Sequence, residues 1–205
     1  DETFQNKLDT HYHLLCFKNG VLDMKEKVFR QGRPDDYLSL CTNTDYCEYD
    51  PQDPEQVSIR GEIEYFMKQL FPIPSVCQYM WEHLASALNG NNFNQTFNIY
   101  FGGGANGKSK LVNLMGRVLG DYKGSVPLTI ITQKRTNIGT ASPEIAQLQG
   151  TRYAVMQEPS KNTKLNEGPF KELVGDDPLQ GRALFQDTVT FIPQFKLAVC
   201  TNVLF

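Results

Sequence analysis

The chain has 205 residues, 40% of them hydrophobic, and a formal net charge of −3. That length supports one α/β domain with a buried core and a smaller module ahead of it, and the charge excludes a global basic field. Contact with nucleic acid would therefore have to come from a local patch or from several subunits lining one channel. The five cysteines, Cys16, Cys41, Cys47, Cys77 and Cys200, are scattered and form no C-x-x-C pair, which argues for reduced thiols and against zinc. No apolar run approaches the ~20 residues of a membrane helix, and no secretory signal opens the chain. A soluble, intracellular protein with no membrane partner is expected. Asp1 is not an initiator Met and the chain stops at Phe205, so both ends read as cuts through a longer polypeptide.

In chain order, LLCF and VLDM flank Lys18-Asn19-Gly20, which predicts a β-hairpin with a type I′ turn, and Val28-Phe29 extends it to a third strand. Residues 32–54 read as an extended connection. Asp53-Pro54 caps a helix whose apolar face is Ile59, Ile63, Phe66, Met67 and Leu70, stopped by Pro72. Ser75 caps a second helix with Val76, Tyr79, Met80, His83, Leu84, Ala87 and Leu88 facing inward, closed by Asn89-Gly90. His83 reads as a packing histidine because no second ligand stands at metal spacing, and His11 and His13 read the same way.

Phe97, Ile99 and Phe101 alternate as in a buried strand and lead into Gly102-Gly103-Gly104-Ala105-Asn106-Gly107-Lys108-Ser109. Leu111, Leu114, Met115, Val118 and Leu119 then follow helical spacing up to Gly120. This fits G-x-x-x-x-G-K-[ST] at every fixed position, in the strand-loop-helix setting the motif requires. A loop without bulky side chains lets backbone N–H groups converge on phosphate oxygens at a helix N-terminus, where Lys110 follows the motif. Lys108 would reach the β- and γ-phosphates, and the Ser109 hydroxyl would ligate Mg²⁺.

Residues 125–132 suit another strand, followed by the basic run Gln133-Lys134-Arg135. A short helix is expected from Pro143 to Gln149, and then a buried strand from Arg152 to Met156 running into Gln157-Glu158. A carboxylate at the carboxyl end of such a strand suits Mg²⁺ or the attacking water, so Glu158 is the candidate acid. Nucleotidases of this broad group mostly carry two adjacent acids here, whereas this chain has Gln157 before Glu158. A helix is expected to begin at Pro169, and Gly175-Asp176-Asp177-Pro178 is a turn. Arg182 to Gln186 and Val189 to Ile192 form a candidate hairpin around Asp187-Thr188. Phe195 to Thr201 is a third buried strand, and it delivers Asn202, an amide able to donate and accept beside a γ-phosphate.

With GGGANGKS, AVMQE, KELVGDDPLQGRALF and FIPQFKLAVCTN in this order, the chain resembles the superfamily 3 helicase domain of D5-like primase-helicases of large DNA viruses and phages. The resemblance covers nearly the whole chain, and the third motif is its specific part. It implies an AAA+-related core with a parallel sheet flanked by helices, in which the strand bearing Asn202 lies between the phosphate-loop strand and the Glu158 strand. A small N-terminal α+β module would occupy residues 1–54, a helical pair 55–92 and the ATPase core 93–205. The implied activity is ATP hydrolysis with Mg²⁺, driving a ring, usually a hexamer, along single-stranded DNA at a replication fork. Lys108, Glu158 and Asn202 would be catalytic, and Lys171, Arg182 and Lys196 lie in the motif that touches DNA. The hairpin of residues 182–193 would point into the channel. By the same resemblance a last strand and an arginine finger lie beyond residue 205 and a primase domain before residue 1, so this stretch alone should bind nucleotide better than it turns it over. The competing class is a nucleotide-switched DNA-binding or helicase-loading ATPase. A phosphoryl-transferring kinase would need an arginine-rich lid that the chain does not show.

Overall fold

A computed structural model describes residues 2–132, 142–157 and 166–203. A first helical turn, α1 (Glu2–Gln5), precedes a meander of β1 (Leu14–Phe17), β2 (Gly20–Asp23) and β3 (Val28–Arg30). The chain then runs through an irregular connection into α2 (Pro54–Leu70) and α3 (Pro74–Ser86). The rest comprises β4 (Phe97–Phe101), α4 (Lys108–Leu119), β5 (Lys123–Ser125), α5 (Thr129–Thr132), α6 (Pro143–Ala146) and β6 (Tyr153–Gln157), then α7 (Glu167–Val174), β7 (Leu179–Arg182), β8 (Thr188–Phe191) and β9 (Lys196–Thr201). Four strands make a parallel sheet in the order β4-β9-β6-β5, so the last strand in sequence lies between the first and the third.

Both faces of that sheet are covered, as parallel strands require. Tyr153, Val155, Ala198 and Cys200 point into one apolar cluster with α2, α3, α4 and the meander. Ala154, Met156, Leu197 and Val199 point into a second, with Ile131, Ile145, Phe170, Leu173 and the β7–β8 hairpin. Because Leu15, Met67 and Leu84 share the first cluster with Leu111 and Tyr153, the N-terminal meander and helical pair pack on the sheet itself.

Several local expectations are met. The Asp53 carboxylate accepts from the N–H groups of Glu55 and Gln56, which caps α2, and α4 ends at Gly120 with φ +54°. Others are corrected. The hairpin loop is Lys18-Asn19 and neither residue has positive φ, so the turn is not type I′. Gly20 instead pairs with Phe17, and a side chain there would lie 2.6 Å from the Arg30 carbonyl and the Phe29 ring. The Asn19 amide bonds both ways to the Tyr46 backbone, pinning the connection to the meander.

Pro74 starts α3, with Ile73 at the N-cap position in place of Ser75. Its inward face is Cys77, Met80, His83, Leu84 and Ala87, while Val76 and Tyr79 are exposed. On α2 only Met67 is fully buried, and Ile59 faces solvent. The strand expected over residues 125–132 ends at Ser125, because Pro127 lacks the N–H that would continue the ladder, and a helical turn follows. On β4 it is Tyr100 that is buried, whereas Ile99 and Phe101 are exposed at the sheet edge. The α7 helix starts earlier than Pro169, at Glu167 behind Asn166, whose side chain accepts from the Gly168 N–H.

Arg152 ties the N-terminal segment to the sheet. It is 1% exposed, donates to the carbonyls of Tyr12, His11 and Leu14, and lies 5.5 Å from the Tyr122 ring centroid. Burial pushes its pKa down to about 10. Replacement leaves the buried Leu14 carbonyl without its donor, at ~1–3 kcal/mol for a group left unsatisfied, whereas the Tyr12 and His11 carbonyls keep the N–H groups of Gly90 and Leu14. Arg152→Ala should therefore lower stability by about 1–3 kcal/mol and expose residues 11–14 to protease, measured by urea denaturation and limited proteolysis.

Candidate functional site

The site lies where parallel β4, β9 and β6 end together. Phe101 pairs with Thr201, and Gln157 with Cys200, so the loop after β4, Asn202 and the residue before Glu158 meet at one sheet edge. Glu158 itself lies outside the described residues, as does Lys134-Arg135.

The loop from Gly102 to Gly107 wraps over this edge. Gly104 has φ +90° and Gly107 φ +84°, conformations that glycine adopts without a steric penalty, and Ala105 follows suit at +47°. A Cβ at Gly102 would overlap the Asn106 side chain, whereas Gly103 and Gly104 open on empty space. No side chain caps α4, whose N-cap is Gly107, so the first-turn N–H groups of Lys108, Ser109 and Lys110 lie at an uncapped helix start facing the cleft. The cleft holds about 420 Å³, and Val112, Gln157, Cys200 and Thr201 complete its walls.

Lys108 is the centre of this geometry. Its ammonium donates to the Gly102 carbonyl at 2.6 Å, to Asn106 Oδ1 at 2.9 Å and to Asn202 Oδ1 at 2.9 Å. All three donors thus meet neutral oxygens, one of them from the far end of the chain. Anionic oxygens would make stronger partners for such a donor set than these neutral ones. Among the described residues no group of three His, Cys, Asp or Glu could hold a metal. The Ser109 hydroxyl lies at the cleft, and one hydroxyl with one acid plus phosphate oxygens is the kind of set that suits Mg²⁺, which keeps several waters.

The three candidate DNA-contacting cations do not share one place. Lys171 is exposed on α7 and pairs with Glu167 at 3.1 Å. Arg182 ends β7, where its N–H donates to Ser142 Oγ and its carbonyl accepts from the Ser142 N–H. Lys196 is buried at the opposite end of β9 from Asn202, roughly 20 Å of strand away, and donates to the Asn91 carbonyl at 2.6 Å. Burial lowers its pKa, so Lys196 is a packing lysine and not a surface cation.

The hairpin expected from residue 182 is present, with its strands shifted: Leu179 pairs with Phe191 and Arg182 with Thr188, leaving 183–187 as the tip. There Phe185 is 98% exposed at φ +59°, and Leu184 is exposed beside it. Phe185 is the feature that sequence reasoning missed, because an apolar residue in ALF reads as strand interior.

Behind the loop runs a polar chain that starts at the surface with Tyr79 and ends buried at Tyr153. The Tyr79 hydroxyl donates to Asn98 Oδ1 (2.7 Å), Asn98 Nδ2 meets His83 Nδ1 (3.1 Å) and His83 Nε2 meets the Tyr100 hydroxyl (2.9 Å), which also accepts from Tyr153 (3.2 Å). His83 is thus a satisfied packing histidine, as expected.

Comparison with known proteins agrees in direction. Residues 1–82 match the family model described as D5 N terminal like. A candidate helicase of Acanthamoeba polyphaga mimivirus is 38% identical over 98% of this chain and 21% of its own length, and one of Invertebrate iridescent virus 3 is 32% identical over 98% and 22%. A candidate primase of African swine fever virus is 25% identical over 98% and 21%. The chain thus spans about a fifth of the length of these relatives. Solved structures of the NrS-1 C-terminal region share the fold: one has a TM-score of 0.55 at 11% identity, covering 80% of this chain and 36% of that one. A second has 0.52 at 15% identity, covering 69% and 32%.

Burial, and next the Lys196 charge, push the His83 pKa from its ordinary 6.5 down to about 4. The unfolded chain therefore binds this proton first as pH falls. The neutral ring's contribution is complete above pH 6.5 and declines as pH drops toward 4, by at most about 3 kcal/mol. Urea midpoints between pH 7 and pH 4.5 should show this slope, and His83→Gln should flatten it.

Proposed function

We propose that this chain, which belongs to the D5-like primase-helicase family, is the ATPase module of a viral replicative helicase of superfamily 3, built on an AAA+-related core. The observation that carries the reading is the convergence of Lys108 on Asn202 at 2.9 Å, which joins a phosphate loop to a polar strand-end residue 94 positions away. The family model at residues 1–82 and relatives named as helicases and primases support a role in DNA replication.

In this reading the loop N–H groups and the α4 N-terminus bind the β- and γ-phosphates of ATP. Lys108 exchanges its three neutral acceptors for phosphate oxygens and stabilises the charge that grows on them during transfer. Asn202 stays within reach of both the lysine and the γ-phosphate and holds the attacking water by accepting or donating as needed. Glu158 accepts the proton from that water. Ser109 and Glu158 would hold Mg²⁺, which would supply charge to neutralise the phosphates.

Coupling to DNA falls to the β7–β8 hairpin in a ring, the hexamer that the resemblance implies. Its tip carries Leu184 and Phe185, apolar surface on which unpaired bases stack, and Arg182 at its base faces phosphate. Lys171 adds a second exposed cation. A ring sums such contacts over its subunits, which is why a chain of net charge −3 can hold DNA. A primase domain on the full-length polypeptide completes the assignment.

The test is steady-state ATP hydrolysis by the full-length polypeptide with and without single-stranded DNA. Lys108→Ala and Glu158→Gln should each lower turnover by about 10²-fold or more. Phe185→Ala should leave basal turnover intact and abolish most of the stimulation by DNA. Turnover indifferent to DNA would reject the motor in favour of a nucleotide-switched DNA-binding or loading ATPase.

A further inference from the structure

The structure assigns the α2–α3 pair, most of which lies within the D5 N-terminal-like region, a second role: it sets the conformation of the phosphate loop, with Leu70 and His83 as positioning residues for nucleotide. This inference rests on the nucleotide reading above. Its starting point is the place of β4. Among the described residues β4 pairs only with β9, so the strand that feeds the loop is supported by the sheet on one side alone. An edge strand with exposed Ile99 and Phe101 is a weak platform for a loop that must hold its shape.

The helical pair makes up the support, and it does so at both ends of the loop. At the exit, Leu70, the last residue of α2, lies against Gly107, where an added Cβ would be 2.6 Å from Leu70 Cδ1. Leu70 is itself held by the end of α2, where the Phe71 N–H donates to the Met67 carbonyl at 2.8 Å and Met67 is fully buried. At the approach, α3 grips β4 through Tyr79–Asn98 and His83–Tyr100, and the Tyr79 and His83 rings stack with centroids 6.3 Å apart. Asn98 sits four residues before Gly102 and Tyr100 two before it, so these bonds fix the strand just where the loop leaves it. The buried His83–Tyr100 bond, continued through Asn98 to the exposed Tyr79, leaves these four side chains few alternative arrangements, which makes the link stiff.

The consequence is mechanical. Because one helical pair touches the loop at Gly107 and the strand at Asn98 and Tyr100, any displacement of α2 or α3 changes the spacing between loop approach and helix α4. Coupling of this kind is reciprocal: phosphate that reshapes the loop pushes back on Leu70 and so on the N-terminal region.

The test measures binding of a non-hydrolysable ATP analogue with Mg²⁺ to the full-length polypeptide by calorimetry, alongside melting temperature. Leu70→Ala should weaken binding about tenfold, and Leu70→Met should restore it to within about twofold of the wild type. Tyr100→Phe, which deletes one hydroxyl, should weaken binding in the same direction and carries the test if Leu70→Ala does not fold. Leu173→Ala, in the apolar cluster on the other sheet face, should lower the melting temperature without changing affinity. Wild-type affinity in both Leu70→Ala and Tyr100→Phe would overturn the inference, as would an equal loss in Leu173→Ala. If the wild type and Lys108→Ala bind the analogue alike, the nucleotide reading fails and takes this inference with it.

Discussion

The arrangement depends on β9 being inserted between β4 and β6. All six of its residues are buried, and it is hydrogen-bonded in parallel on both edges. Parallel pairing beside β4 brings Asn202 to the mouth of a loop that begins a hundred residues earlier. Given that register, Thr201 stands beside Phe101, and Asn202 is placed at Lys108 with no further choice to make. The chemistry proposed for the site is therefore a property of topology first and of side chains second.

A lysine with all three protons on neutral oxygens is well held yet replaceable. Its acceptors are a loop carbonyl, a loop amide and the strand-end amide, so in the proposed reading each phosphate oxygen would displace a contact from a different part of the site. Loop, Asn202 amide and ligand would then be linked through a single ammonium group. The N-terminal region belongs to the same unit, since Arg152 at the head of β6 binds the carbonyls of residues 11, 12 and 14, and Leu70 and His83 reach the loop and its strand.

Much of this was legible in the chain itself. The phosphate loop, the Asp53 cap, the Gly120 stop and the strand ending at Asn202 all follow from local chemistry with strong positional rules. Helix phase was less legible: α3 is apolar at adjacent positions, so Val76 and Cys77 compete for the core and periodicity cannot choose between them. Gly20 beside Asn19 signalled a turn, yet the glycine serves the close approach of β3, a contact nine and ten residues away. Lys196 was a DNA candidate through its place in the resembled third motif, whereas a lysine with an aliphatic stem can bury itself against one carbonyl. Phe185 was hidden for the opposite reason, an apolar residue that the hairpin register leaves at its tip.

The central claim is that the loop from Gly102 to Ser109 and the end of β9 form one phosphate site. Backbone amide exchange of the full-length polypeptide, with and without Mg²⁺-ATP, tests it most directly. The account predicts slowed exchange in two separate stretches, residues 102–110 and residues 200–203, and the loss of both effects in Lys108→Ala. Protection of the loop alone, or no change in either stretch, would contradict it.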